Sequence, residues 1–176
     1  MEYYPVKYKL NYKNHFIIWC GNDIDHVLVI NGFIAVFQNL TEINKYASAN
    51  SLKLNSKPIS YELDKIKLWC KNPTSKINCV AFLDSWNLFG DIAASFPQEH
   101  EKFESLTKKY LSQYNKLFYG CNLDPIRRNK PKYYPIWSNS DINYIKSIFR
   151  HGFKLINQRC RTYTELRSSR TVSTLF

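Results

Sequence analysis

Four histidines (His15, His26, His100, His151) and five cysteines (Cys20, Cys70, Cys79, Cys121, Cys160) are the side chains best suited to metal binding or nucleophilic chemistry. No two of the histidines have metal-ligand spacing, and no two cysteines have the short spacing of a zinc site or a dithiol redox motif. Cys20 and His26 are the one nucleophile–base pair close in sequence, but both flank an expected tight turn at Gly21-Asn22-Asp23. Asp84 and Asp91 are two helical turns apart, about 10 Å by helix rise. That is wider than the paired carboxylates of glycosidase chemistry. There is no Gly-x-Ser-x-Gly, no P-loop and no dinucleotide fingerprint, and only five glycines to build a phosphate cradle. The expectation is a binding protein, with no catalytic residues, no metal and no cofactor.

The charge points to a partner. Lys+Arg is 25 and Asp+Glu is 14, a formal net charge of +11 over 176 residues. Such a balance favours nucleic acid, an acidic membrane or an acidic protein. Two stretches carry a surplus. Arg127, Arg128, Lys130 and Lys132 lie in a segment stiffened by Pro125, Pro131 and Pro135, with Tyr119, Tyr133 and Tyr134 nearby. The tail from Gln158 holds Arg159, Arg161, Arg167 and Arg170 against the single counter-charge of Glu165. Arg127, Arg128, Lys130 and Lys132 are the first candidates for partner contact, and Arg159 and Arg161 the second. Basic residues among aromatics suit either an acidic protein surface or nucleic acid. A solvated loop is the plainer alternative. No helix-turn-helix, zinc finger or RNP-type aromatic signature accompanies them.

These residues must be positioned by the stretch Asn78–Phe96. Cys79, Phe82, Leu83, Trp86, Phe89, Ala93 and Phe96 recur at steps of three and four, the apolar face of a helix. Leu88 and Ile92 widen that face, so the helix is buried on more than one side. Asp84, Asn87 and Asp91 form a polar stripe that must find partners or water. Gly90 lowers helix propensity, which suggests close approach of another backbone.

Before this helix, Val6, Tyr8, Leu10 and Tyr12 alternate with lysine or asparagine, a half-buried strand whose lysines would guard a sheet edge. Phe16–Cys20 reads as a second strand. Asn31-Gly32 between apolar runs signals a hairpin, completing an antiparallel meander over about residues 5–38. A short helix follows with Thr41 as its cap, then a strand running into a helix over Tyr61–Cys70. After Pro97 comes a second long helix, with Glu99, Glu101 and Glu104 early, Lys108, Lys109 and Lys116 late, and Gly120 as its stop. Ser138 and Asp141 form a capping box with Trp137 and Ile142 as the staple, opening a helix that should end at Gly152. The tail is either a mobile arm or two strands, 161–166 and 171–176.

The expected fold is α+β, a single domain with an N-terminal antiparallel β-meander packed on a mainly helical C-terminal half. Residues 1–60 are mainly β, 61–157 mainly α, and 158–176 a basic tail. An odd cysteine count without framework spacing suits a reducing cytosol. Residues 1–14 lack the apolar core of a secretory signal. No apolar run is long enough to span a membrane.

Three segments carry a family resemblance. Phe82-Leu83-Asp84-Ser85-Trp86-Asn87-Leu88-Phe89-Gly90-Asp91-Ile92 resembles a segment of the immunity proteins of contact-dependent growth inhibition and related polymorphic toxin systems. Lys116–Leu123 and Tyr133–Ser138, followed by the helix after Ser138, are similar to the same family in the same order, over roughly residues 60–157. The resemblance implies a small cytoplasmic protein without catalytic activity that binds one cognate toxin domain, often a nuclease, in a 1:1 complex and blocks its active site. The matched residues read as core and capping positions, so the resemblance assigns no binding residue. The net charge departs from the acidic character of many nuclease-blocking members.

Overall fold

The computed structural model describes residues 1–21, 23–55, 57–128 and 130–172, with side chains described through 168. β1 (Glu2–Leu10) and β2 (Lys13–Gly21) form an antiparallel hairpin in register from Glu2 opposite Gly21 to Leu10 opposite Lys13. Its turn is Asn11-Tyr12, with φ of 55° and 63°. Both left-handed residues match the twist that a two-residue hairpin needs. Tyr12 is therefore an exposed turn residue and not the inward strand position its alternation suggested. Val6, Tyr8 and Leu10 are buried as expected. β3 (His26–Val27) pairs antiparallel with β2. On the other side β6 (Ile59–Tyr61) runs parallel to β1, placing Ser60 beside Lys7. β1 is thus flanked on both sides there, so Lys7 guards no edge.

A second sheet holds β4 (Val29–Ile30), β5 (Phe33–Val36) and β7 (Cys160–Thr162), with β7 parallel to β5. Asn31-Gly32 makes the expected hairpin turn, with φ of 52° and 78°. The sheets meet where Phe16 and Phe37 exchange backbone hydrogen bonds of 3.1 and 2.7 Å. β2 is buried on both faces. Phe16, Ile18 and Cys20 enter one core with Phe37, Ile43 and Leu166, while Ile17 enters the main core under the helices.

The helices are α1 (Leu40–Ala49), α2 (Leu63–Lys71), α3 (Cys79–Ala94), α4 (Pro97–Lys109), α5 (Leu111–Gly120), α6 (Asp124–Arg127), α7 (Asn139–Arg159) and α8 (Tyr163–Val172). The chain is α+β, with the antiparallel-rich strands in its N-terminal part and helices dominating the rest. α3 is central. It packs against α7, α4 and α5 and touches β3. Asn78 caps it by accepting from the Ala81 N–H at 3.1 Å. Phe149 of α7 meets Phe82, Phe89, Trp69 and Trp86 edge-on, a geometry aromatic rings favour.

Four local expectations are corrected. Asn39, not Thr41, caps α1: its side chain accepts from the Glu42 N–H at 2.9 Å, and Glu42 accepts from the Gln38 N–H at 2.7 Å. These two bonds satisfy backbone donors at a start two residues earlier. The long helix after Pro97 breaks at Tyr110, a buried ring stacked on Tyr144. Gly120 ends its helix as expected, but Gly152 does not. Gly120 is the last residue of α5, and the left-handed residue beyond it is Asn122, with φ of 52°. Gly152 lies inside α7, where a Cβ would come within 2.2 Å of the Phe89 ring. Finally, the tail folds back. Only Cys160–Thr162 is strand, α8 follows, and Leu166 is buried against the sheet. The second expected tail strand, 171–176, is replaced by helix at 171–172, and 173–176 lie outside the described residues.

Candidate partner-binding site

α7 opens on Ser138, and its first turn anchors the segment before it. Ser138 Oγ accepts from the Asp141 N–H at 3.1 Å, and Asp141 Oδ2 accepts from the Ser138 N–H at 3.0 Å. The same carboxylate takes Gln113 Nε2 and Lys116 Nζ of α5, both at 2.7 Å. Burial alone would raise the Asp141 carboxyl, but these hydrogen bonds outweigh it and hold it well below the usual carboxylate range. Lys116 also donates to the Ile136 carbonyl at 3.1 Å. Asn122 holds the other end of the segment, exchanging hydrogen bonds with Tyr133 at 2.7 and 2.9 Å. The irregular path from 133 to 138 is therefore held at Tyr133 by Asn122, just beyond α5, and at Ile136 and Ser138 by Lys116 and Asp141.

On this frame the candidate cations separate into two kinds. Arg127 is turned inward, donating to Asp124 at 2.7 Å and to the Lys130 carbonyl at 3.1 Å. The pair lowers the exposed Asp124 carboxyl. Arg128 ends α6 in the left-handed conformation, with φ of 45°, and is exposed, as are Lys130 and Lys132. Arg159 lies apart from this surface. Its guanidinium sits 4.6 Å from the Phe96 ring centre and donates to Glu99 at 3.3 Å, tying the end of α7 to α4. Arg161 covers the Phe33 ring at 4.8 Å and donates to the Cys160 carbonyl at 2.7 Å. The structure thus brings Arg128, Lys130 and Lys132 into one segment and gives Arg127, Arg159 and Arg161 intramolecular contacts.

Sequence reasoning named Tyr119, Tyr133 and Tyr134 beside these cations but not the aliphatic neighbours Leu123, Ile126 and Ile136. Leu123, Ile126, Tyr133, Tyr134 and Ile136 are all exposed, Tyr134 at 75% and Ile136 at 87%. Tyr119 joins them from α5. Between these residues lies a depression of about 170 Å³ lined by Phe118, Leu123, Ile126 and Tyr133. The mixture of basic residues, prolines and tyrosines was visible, but nothing local showed which side chains face out.

The polar stripe of α3 lies elsewhere. Asn87 and Asp91 border a cleft of about 470 Å³ between α3, α4 and the turn before β3, whereas Asp84 is exposed outside it. Asn87 accepts from the Tyr114 hydroxyl at 3.1 Å, and Asp91 Oδ2 from the Trp19 indole N–H at 3.0 Å. Gly90 sits in the same wall. Its nearest neighbour is the Phe103 ring, 3.6 Å from where a Cβ would stand, so no backbone approach requires the glycine.

Cys20 is buried, and burial pushes its thiol up to about 11, the reverse of an activated nucleophile. Among the described residues no group of three His, Cys, Asp or Glu could hold a metal ion, and no helix is long and apolar enough to cross a membrane. No known protein family matches the chain, and neither does any curated protein or solved structure.

Proposed function

We propose that this chain is a cytoplasmic immunity protein that binds and neutralises a cognate toxin domain in a 1:1 complex, through the surface formed by residues 119–136. The observation that carries this reading is the chemistry of that surface. Exposed tyrosine and isoleucine next to exposed arginine and lysine are the residue types that anchor protein interfaces, and contiguous exposed apolar groups mark docking sites. Leu123, Ile126 and Ile136 have no role in stacking on bases, so they favour a protein over nucleic acid. The depression between Phe118, Leu123, Ile126 and Tyr133 would seat one apolar side chain of the partner. Of the three segments that resemble immunity proteins, Phe82–Ile92 falls on α3, Lys116–Leu123 runs from α5 into this surface, and Tyr133–Ser138 lies in the surface and leads to the cap of α7. Exposed Arg128, Lys130 and Lys132 would speed association with an acidic face of the toxin.

The second reading, a nucleic-acid-binding module, draws on Tyr133 and Tyr134 beside the same cations. It predicts affinity that falls steeply with salt as counterions are released. The experiment that separates the two is co-expression with the product of the adjacent upstream reading frame, followed by purification at physiological salt. Survival of the cells together with a stoichiometric protein complex is the expected result. A harmless neighbour, no complex, and nucleic acid retained until salt is raised would overturn the immunity reading.

A further inference from the structure

We propose that the face formed by the tip of the β1–β2 hairpin and the outer side of α2 docks on an anionic lipid bilayer, as a peripheral contact with the headgroups. The face shares no residue with 119–136, and the inference does not depend on the toxin-neutralising reading.

The two elements are clasped by polar contacts. Asp64 of α2 accepts from the N–H groups of Asn11 and Tyr12 at 2.6 and 2.8 Å, and Lys67 donates to Asn11 Oδ1 at 2.6 Å. Between them runs a groove of about 280 Å³ whose cations are Lys9, Lys65, Lys67 and Lys71. Its carboxylates are Glu62 and Asp64, and Asp64 is already occupied by the turn. Among the described residues none of the four lysines forms an ion pair. Lys13 is exposed next to the turn. Burial pushes the Cys70 thiol up to about 11, and Lys146 and Arg150 of α7 oppose the rise. Positive charge therefore continues past the C-terminal end of α2. Like charges gathered on one face repel one another, and an apposed anionic surface removes that cost.

Apolar side chains stand among these cations. α2 buries Leu63, Ile66, Trp69 and Cys70, so Lys65, Leu68 and Lys71 form its outer row. Leu68 is 63% exposed there, and Tyr12 at the hairpin tip is 90% exposed. Neither belongs to a core cluster. An exposed leucine between lysines is the pattern of a helix that lies in a membrane interface, and clustered basic residues attract anionic headgroups. Tyrosine sets an apolar ring and a polar hydroxyl at headgroup level. Lysine stems lie along apolar surface while their ammonium heads stay in water. All the groove's cations are lysine, whereas arginine is the better residue for forked hydrogen bonds to phosphodiesters and for stacking on bases. Nucleic acid also needs aromatic platforms for successive bases. Among the described residues Tyr12 is the one aromatic ring lining the groove. The diffuse charge of a bilayer surface requires neither.

The test is co-sedimentation of the full chain at physiological salt with vesicles of phosphatidylcholine alone and of equimolar phosphatidylcholine and phosphatidylglycerol. The chain should pellet with the anionic vesicles, stay in solution with the neutral ones, and be released as salt is raised. Lys65→Glu with Lys71→Glu should weaken binding about tenfold. Tyr12→Asn, which suits the left-handed turn, with Leu68→Gln should weaken it about threefold. Arg128→Glu, Lys130→Glu and Lys132→Glu together remove more positive charge but lie off the face, so they should cost less than about threefold. Thermal melts confirm that each variant is folded. Equal binding to both vesicles, or as great a loss in the triple variant as in the lysine pair, would overturn the face. Absence of vesicle binding, with single-stranded DNA held through Lys65 and Lys71, would give the face to nucleic acid instead. None of these results bears on toxin binding at 119–136.

Discussion

Single residues of this chain carry opposite costs for the same chemistry, and glycine shows it best. Gly152 is buried where a Cβ would overlap the Phe89 ring at 2.2 Å. Gly152→Ala should therefore destabilise the fold by about 3 kcal/mol, since neither α7 nor the fully buried Phe89 can yield cheaply. At Gly90 a Cβ would make only ordinary contact with the Phe103 ring at 3.6 Å, so Gly90→Ala should stabilise by roughly 0.5–1 kcal/mol through helix propensity. Urea unfolding of both variants checks the pair, and equal effects would show that the two sites were misjudged. Asp91 offers a pH test. Burial pushes its carboxyl up to about 6, with Asp25 adding to the rise and the Trp19 N–H and His26 opposing it. A carboxyl raised in the folded state holds its proton there more firmly than in the unfolded chain. Its contribution is thus fully favourable below about pH 4 and is lost as pH rises through 6. Asp91→Asn should be more stable than the parent at pH 8, by on the order of 1–2 kcal/mol after allowing for solvent at the cleft mouth. The gain should fade by pH 4.5, as urea midpoints at the two values would show. The stripe Asp84–Asn87–Asp91 was legible in the sequence. Its division into an exposed Asp84 and a cleft-lining Asn87 and Asp91 was not, because Trp19 and Tyr114 reach it from distant segments.

Secondary elements were legible wherever their signals are local. The apolar period of α3, the Asn31-Gly32 turn and the Ser138–Asp141 box each lie within one window of sequence, and each forms as expected. The failures have separate physical reasons. Glycine ends helices and also permits close approach, and at 152 the second use prevails. The hairpin turn at Asn11-Tyr12 went unseen because it lacks glycine. Its left-handed residues are held instead by Asp64, which accepts both of their N–H groups at 2.6 and 2.8 Å. The parallel pairings of β6 and β7 join segments far apart in the chain, and no local pattern announces them. At this scale Asp141 is the decisive test, because one buried carboxylate serves the cap of α7 and two side chains of α5. Asp141→Ala should cost about 3 kcal/mol, as breaking a buried, hydrogen-bonded ion pair does. Because its carboxyl is depressed in the folded state, the stability it supplies is present above about pH 4 and is lost as pH falls further. Thermal unfolding at pH 7 and pH 2.5 should show the gap between parent and variant narrowing in acid.

Across the whole molecule, charge and shape divide the labour. α3 and α7 form the frame, the sheets brace one side of it, and α1 and α8 cover the far face of the strands. The net charge was readable from composition, but its usable part was not. Arg127 and Arg159 are half-buried in contacts within the chain and Arg161, though exposed, covers Phe33, while Arg128, Lys130 and Lys132 are exposed in the segment that holds Tyr134 and Ile136. Arg159→Glu should accordingly lower the melting temperature by placing a second carboxylate against Glu99, while charge reversal at the exposed three should not. The most direct measurement is the affinity of the purified toxin partner for the triple variant Arg128→Glu, Lys130→Glu, Lys132→Glu, read by calorimetry at physiological salt beside the melting temperature. The immunity reading predicts at least about a 30-fold weaker complex with an unchanged melt. Parental affinity in a folded triple variant would contradict it and move the toxin contact off residues 119–136.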